Sequence, residues 1–243
     1  MADHIVKAYD AELETLSRKI AEMGGVAEVM LSKAIETLES LKVEDANTVI
    51  DADLRVDGLQ REVEDLAVQI LARRQPMAID LREIIVALRV SGDLERVGDL
   101  AKNIAMRSLS LSAETGMGRA VIGLKHMGDL ASKQLKDVLD AYGRRDVEAA
   151  KGVWNRDVEL DATEDAVFRD LLTFMMEDAH NISFCTDLLF CSKNVERIGD
   201  HATNIAEHIV YLVTGETMPL NRPKGQSRRN NRARVLQDAP QPT

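Results

Sequence analysis

Aromatic residues make up only 3% of this 243-residue chain, and it has two cysteines and five prolines. Each scarcity excludes something. Two cysteines cannot staple a small secreted scaffold. Cys185 and Cys191 lie six apart in one segment, which on a helix puts them on opposite faces, so no disulfide is expected. That fits a reducing cytoplasm. No apolar run approaches the ~20 residues that span a bilayer. The opening MADHIVKAYDAELETLSRKI is too charged for the core of a secretory signal. Gly-rich phosphate loops, a P-loop lysine, a nucleophile elbow and Cys-x-x-Cys pairs are all missing. The expectation is a soluble cytoplasmic protein that is not an enzyme.

Charge is unevenly placed. Six of the 31 Lys and Arg (Arg222, Lys224, Arg228, Arg229, Arg232, Arg234) fall in the last 26 residues, against one of the 41 acids, Asp238. Residues 1–217 therefore carry 25 positive and 40 negative charges. Such a body repels phosphate backbones, which excludes a nucleic-acid-binding core. The tail also holds four of the five prolines and reads as a disordered basic appendage.

Before that tail, only Pro76 interrupts the chain. Apolar residues recur at intervals of three and four, as in Val56, Leu59, Val63, Leu66, Ile70 and in Leu94, Val97, Ala101, Ile104. That is helical periodicity. Turns are marked by the polar stretch at Lys42 to Asp45, by Arg74-Gln75-Pro76, by Thr115 to Gly118, by Tyr142-Gly143 and by Asp178 to Asn181. The pattern predicts an all-α protein of six long helices, at about 4–41, 45–75, 77–113, 118–142, 145–177 and 180–214.

The chain repeats itself. DLERVGDLAKNIA, from Asp93 to Ala105, matches NVERIGDHATNIA, from Asn194 to Ala206, at eight of thirteen positions and an offset of 101. Upstream, Asp53 to Asp57 matches Asp157 to Asp161 at an offset of 104. Three helices therefore repeat as three helices in two tandem, pseudo-two-fold-related bundles. Residues 1–114 form the first, 115–217 the second and 218–243 the tail.

Each repeat carries two acid pairs spaced i,i+4: Asp53/Asp57 with Glu95/Asp99, and Asp157/Asp161 with Glu196/Asp200. Like charges one turn apart cost a helix roughly 0.2–0.5 kcal/mol per pair, so their recurrence needs a reason. Hairpin geometry supplies one. Asp57 and Glu95 each lie 19 residues from Pro76, and Asp53 and Asp99 each lie 23 from it. Asp161/Glu196 and Asp157/Asp200 share one midpoint, between Asp178 and Ala179. With helix axes ~8–10 Å apart, four carboxylates converge in each hairpin. They cannot all ionise there without a cation. An all-oxygen set suits divalent or trivalent ions such as iron, manganese, magnesium or calcium, with zinc left open.

Smaller expectations accompany this one. Gly98 and Gly199 allow close backbone approach, Asn103 and Asn204 orient ligands, and His201 is a structural histidine. Met175, Met176, Phe168 and Phe174 pack in the core. Two rival readings remain beside the metal site. One is a helical adaptor whose acid faces are solvated, with Arg96 or Arg197 neutralising neighbours. The other is a di-iron carboxylate oxidase, which would need Glu-x-x-His twice, whereas Glu177-x-x-His180 occurs once and at a turn.

ERVGDLAKNIA and ERIGDHATNIAEHIVYLVTG closely resemble the paired signature of the PhoU family of phosphate-uptake regulators. The similarity extends to RRQPMAIDLR, TFMMEDAHNI and AYDAELETLSRKIAEMGG, and so covers about residues 5–215. The resemblance implies a symmetric pair of three-helix bundles whose acidic motifs bind metal clusters, often of iron. It also implies a homodimer and a negative regulator of the phosphate-starvation response. In that role it links the ATP-binding subunit of the phosphate ABC transporter to a sensor histidine kinase. The basic tail departs from the family pattern: it is either a solubilising end or a peripheral contact with anionic inner-membrane lipid.

Overall fold

A computed structural model describes residues 2–40, 42–111 and 118–219. Six helices account for nearly all of them: α1 (Ala2–Ser40), α2 (Val43–Arg74), α3 (Ala78–Ser108), α4 (Gly118–Arg144), α5 (Val147–Glu177) and α6 (Ile182–Thr214). A single 3-10 turn, Ala179–Asn181, precedes α6. The predicted end of the third helix at 113, the junction around Thr115 and the tail from residue 220 lie outside the described residues.

One boundary needs correction. The turn expected at Tyr142-Gly143 falls later, because α4 runs through Gly143 to Arg144. The chain reverses at Arg145, in the left-handed region at φ 53°. Asp146 then caps α5, its side chain accepting from the Ala149 N–H at 3.0 Å. An aspartate at the N-cap satisfies an orphan helix donor and outweighs the local flexibility of glycine. The α2–α3 turn is where proline placed it, with Gln75 left-handed at φ 50°.

Helices α1, α3, α6 and α4 pack in a closed ring, α1 on α3, α3 on α6, α6 on α4 and α4 on α1. Outside the ring, α2 lies on α1 and α3, and α5 lies on α4 and α6. Cys185 and Cys191 are both buried despite their angular separation, because α6 has neighbours on three sides. Burial also pushes the Cys191 thiol up to about 12, so both cysteines are inert packing groups.

The ring shows its pseudo-symmetry in matched close contacts. A Cβ on Gly128 would sit 2.6 Å from Ile35 Cδ1, and one on Gly24 would sit 2.8 Å from Leu139 Cδ2. Gly24 and Gly128, like Ile35 and Leu139, are 104 residues apart, the offset of the repeat. Across the other junction α3 and α6 run antiparallel, with Arg107 3.0 Å from Asp187 at one end and Arg89 over the Tyr211 ring at the other. The α2–α3 and α5–α6 tips consequently lie at opposite ends of the molecule.

Not every apolar residue near those tips is in the core. Phe174 and Met175 pack against it, but Met176 is 88% exposed and Phe168 is 44% exposed, contrary to the core role expected of them. Both lie on the solvent side of α5, where an outer helix has no further neighbour. Phe190, also exposed, stacks under the Arg107 guanidinium 4.0 Å away.

The glycine contacts are testable. Gly128→Ala drives a methyl into Ile35 and should cost about 1–3 kcal/mol. Gly152→Ala, in α5 where a Cβ meets nothing within 4 Å, should instead stabilise by up to about 1 kcal/mol through helix propensity. Urea denaturation of both variants checks the contrast.

Candidate metal centre

Both carboxylate sets lie where an outer helix meets the ring, one between α2 and α3, the other between α5 and α6. Gly98 packs against Val56 of α2, a Cβ there meeting Cγ1 at 3.4 Å. Gly199 lies directly beneath Leu160 and Asp157 of α5. Gly199 allows the close approach expected of it, a Cβ there lying 2.2 Å from Leu160 Cδ2, whereas a Cβ at Gly98 would make only ordinary contact.

In the first set Asp53 is buried, whereas Asp57, Glu95 and Asp99 are half-buried. Burial pushes the Glu95 carboxyl up. Arg96, 3.4 Å away, opposes this, while Asp99, Asp57 and Asp53 add to the upward push. The four predicted acids therefore share one electrostatic environment. A residue not anticipated from the motif sits among them. The Lys102 ammonium donates to Asp53 Oδ2 and lies 3.7 Å from Asp99 Oδ1. The hydrogen bond to Asp53, reinforced by the charges of Asp53, Asp99 and Asp57, holds its pKa above the ordinary lysine value despite burial.

The second set is drier. Asp157, Asp161 and Glu196 are 2%, 5% and 3% exposed, and Asp200 is half-buried. Lys193 Nζ lies 2.8 Å from Glu196 Oε2, one helical turn away on the exposed side of α6. The position matching Lys102 is Thr203, whose hydroxyl donates to the Asp200 carbonyl at 2.7 Å. Repeat comparison at the offset of 101 is the signal that would have flagged this difference.

Do these residues fit a metal? Among the described residues no three His, Cys, Asp or Glu side chains are already gathered as a cation-binding group. All four carboxylates of the second set have protein partners. An ion would therefore have to replace existing contacts. The donor chemistry nevertheless fits: three nearly dry carboxylates beside a fourth match a hard cation better than solvent.

One expected supporting role goes elsewhere, while His201 has the structural role expected of it. Asn204 does not orient the carboxylates; its Nδ2 donates to Asp93 Oδ1 at 3.2 Å, across the α3–α6 junction. His201 Nδ1 lies 2.8 Å from Asp93 Oδ1, and His208 Nε2 lies 3.2 Å from Asp93 Oδ2. Burial works against the Asp93 charge, but hydrogen bonds from His201, His208 and Asn204 hold its carboxyl below the usual range. Asp93 is thus the polar clamp between repeats. It stands outside the repeated acid pairs, its match in the second repeat being Asn194.

The fold and site together define an all-α tandem of two three-helix bundles with a carboxylate set in each hairpin. The chain belongs to the PhoU family: the PhoU domain matches residues 20–108 and again 124–209. It is 48% identical over 221 residues to the phosphate-specific transport system accessory protein PhoU homolog of Rhizobium meliloti (strain 1021), covering 91% of this chain and 93% of the relative. It is 47% identical to the homolog of that name in Caulobacter vibrioides (strain NA1000 / CB15N), covering 92% and 97%. The crystal structure of PhoU from Pseudomonas aeruginosa superposes with a TM-score of 0.82 at 36% identity, covering 86% of this chain and all of that one. The phosphate transport system regulatory protein PhoU from Streptococcus pneumoniae superposes with a TM-score of 0.81 at 30% identity, covering 87% and 100%.

Lys102→Met tests the internal counter-charge. Leaving the Asp53 carboxylate without its ammonium should cost about 1–3 kcal/mol at pH 7. Urea melts of the variant and of wild type at pH 7 measure the difference.

Proposed function

We propose that this protein is a negative regulator of the phosphate-starvation response and of phosphate uptake. It works as a cytoplasmic binding module between the ATP-binding subunit of the phosphate ABC transporter and a sensor histidine kinase. The observation that carries this reading is the double PhoU domain match, supported by relatives named as phosphate-specific transport accessory proteins along nearly their whole length. The shape is suited to it. Helices of 27–39 residues give faces roughly 40–60 Å long, and among the described residues no helix is long and apolar enough to cross a membrane. A regulator of this kind shifts a partner only through differential affinity for the partner's two states. The protein acts as a homodimer.

The paired carboxylates are proposed to hold divalent or trivalent cations, iron among them. When bound, such an ion supplies positive charge that lets the buried acids stay ionised and ties the two hairpin helices together. The chain's own residues position it: Gly199 brings α5 and α6 close, and the acids project from both hairpin helices. The adaptor reading without metal keeps one specific support, that Lys102 already supplies a cation in the first set. The oxidase reading has none. Glu177 and His180 sit at the α5–α6 tip, where His180 is bonded to Asp178 rather than turned toward the carboxylates.

Pull-down from membranes, with this chain as bait at high and low phosphate, should capture the transporter ATPase subunit or a sensor kinase. Capture of neither at both phosphate levels would remove the coupling role. The basic tail is proposed to add a peripheral contact with anionic inner-membrane lipid at ~1 kcal/mol per basic residue near the surface. Deleting residues 219–243 should weaken sedimentation with anionic vesicles but not with neutral ones; equal sedimentation of both proteins would dismiss that contact.

A further inference from the structure

The two hairpin tips carry opposite charge at matched positions. Arg73 and Arg74 end α2; the residues matching them at the offset of 104 are Glu177, which ends α5, and Asp178 just past it. The residues that start the next helix differ in kind as well. Asp178 caps the 3-10 turn, its side chain accepting from the His180 N–H at 2.9 Å. Met77 holds the N-cap of α3 and makes no capping hydrogen bond, although Ser, Thr, Asp or Asn there would satisfy an orphan donor. Met77 is 80% exposed and Ile79 61%. Gln75 and Ala78, on either side of Pro76-Met77, are both left-handed, at φ 50° and 49°, a region that side-chain-bearing residues enter with strain. A methionine standing where a cap belongs, held out by a strained turn, is kept for contact with something else.

The cations gather at the same end. Arg73 is exposed, as is Arg144 in the α4–α5 turn, whose neighbour Arg145 reaches across to Glu83 of α3. The end of α6 lies here too: a Cβ on Gly215 would sit 2.2 Å from Arg82 Nη1. Met218 packs against the core just beyond, so the chain from residue 220 onward, with six Lys and Arg against one acid, departs from this pole. Of the acids nearby, Glu12 is tied to Arg74 and Glu83 to Arg145, and Asp80 is half-buried, which leaves Asp10 and Glu216 exposed.

We propose that the α2–α3 tip is a lipid-docking surface: Met77 and Ile79 enter the headgroup region of an anionic membrane, while Arg73, Arg144 and the tail meet its phosphates. This deepens the lipid contact proposed for the tail and rests on the same anionic surface. Two apolar side chains at the end of a hairpin fall well short of the roughly 20–30 residues a side of a standard protein interface. Shallow apolar insertion beside a basic segment is, by contrast, the two-part arrangement that holds a peripheral protein on a bilayer. The opposite tip also exposes apolar residues, Met176 and Ile182, but sets Glu177 and Asp178 where this one has arginines, and anionic headgroups repel it.

The test is co-sedimentation of the full chain with vesicles of phosphatidylglycerol and phosphatidylcholine and with vesicles of phosphatidylcholine alone, thermal melts confirming that each variant folds. Met77→Ser/Ile79→Ser should weaken binding to the anionic vesicles by about tenfold or more, and Arg73→Glu by about fivefold or more. Met176→Ser/Ile182→Ser, in the opposite tip, should leave it unchanged. An environment-sensitive fluorophore attached through Met77→Cys should shift to the blue on anionic vesicles, and one attached through Met176→Cys should not, the native Cys185 and Cys191 being buried. Wild-type binding by Met77→Ser/Ile79→Ser, or equal losses from the two tips, would overturn the docking surface while leaving the tail contact to its own deletion. Unchanged vesicle binding by that variant, with loss of the transporter ATPase from the membrane pull-down, would make the tip a protein contact and overturn the lipid assignment. No binding of folded wild type to anionic vesicles would overturn the tail contact and the tip together.

Discussion

A carboxylate taken out of water needs a counter-charge or a dense set of donors, and that requirement organises this molecule at three places. At the α3–α6 junction, Asp93 is satisfied by two histidines and an asparagine from the opposite repeat. Between α2 and α3, Asp53 is satisfied by Lys102. Between α5 and α6, three acids are as dry as Asp53. The first solution joins the two bundles, the second closes one hairpin from within, and the third gathers more buried acid in the other hairpin, each with a partner of its own.

Around these polar points the packing is achieved with small residues. Scarce aromatics mean the core is made of Leu, Ile, Val, Met and Ala, and close helix approach comes from glycine at Gly24, Gly128 and Gly199. Such contacts tolerate little added volume. The same economy lets α5 and α6 approach at Gly199, where a β-carbon would have to displace the Leu160 side chain.

Much of this was legible in the residues. Helical periodicity and the single early proline gave six helices, and equal distances from the two turns placed the acids opposite one another. What escaped has physical reasons. Gly143 looked like a turn because glycine is a poor helix former, but the cap at Asp146 decided the boundary instead. Met176 and Phe168 looked like core because they are large and apolar, yet an outer helix buries only one stripe. Lys102 lies outside the acidic motif, so only its match across the repeat, Thr203, singles it out. Asp93 escaped entirely, since a contact between repeats has no period in the sequence.

The opposed hairpin tips carry a geometric consequence. At positions where α5 and α6 show Phe168, Met176 and Phe190, the matching residues of α2 and α3 are Glu64, Ala72 and Arg89. Both poles expose apolar side chains, Val68, Met77, Ile79 and Leu81 at one and Leu172, Met176 and Ile182 at the other, but the two surfaces differ residue by residue. Exchange of the poles maps the backbone onto itself but not the surface, so the molecule has a direction. Two bodies bound at its poles would be held apart by the length of a helix and could not trade places.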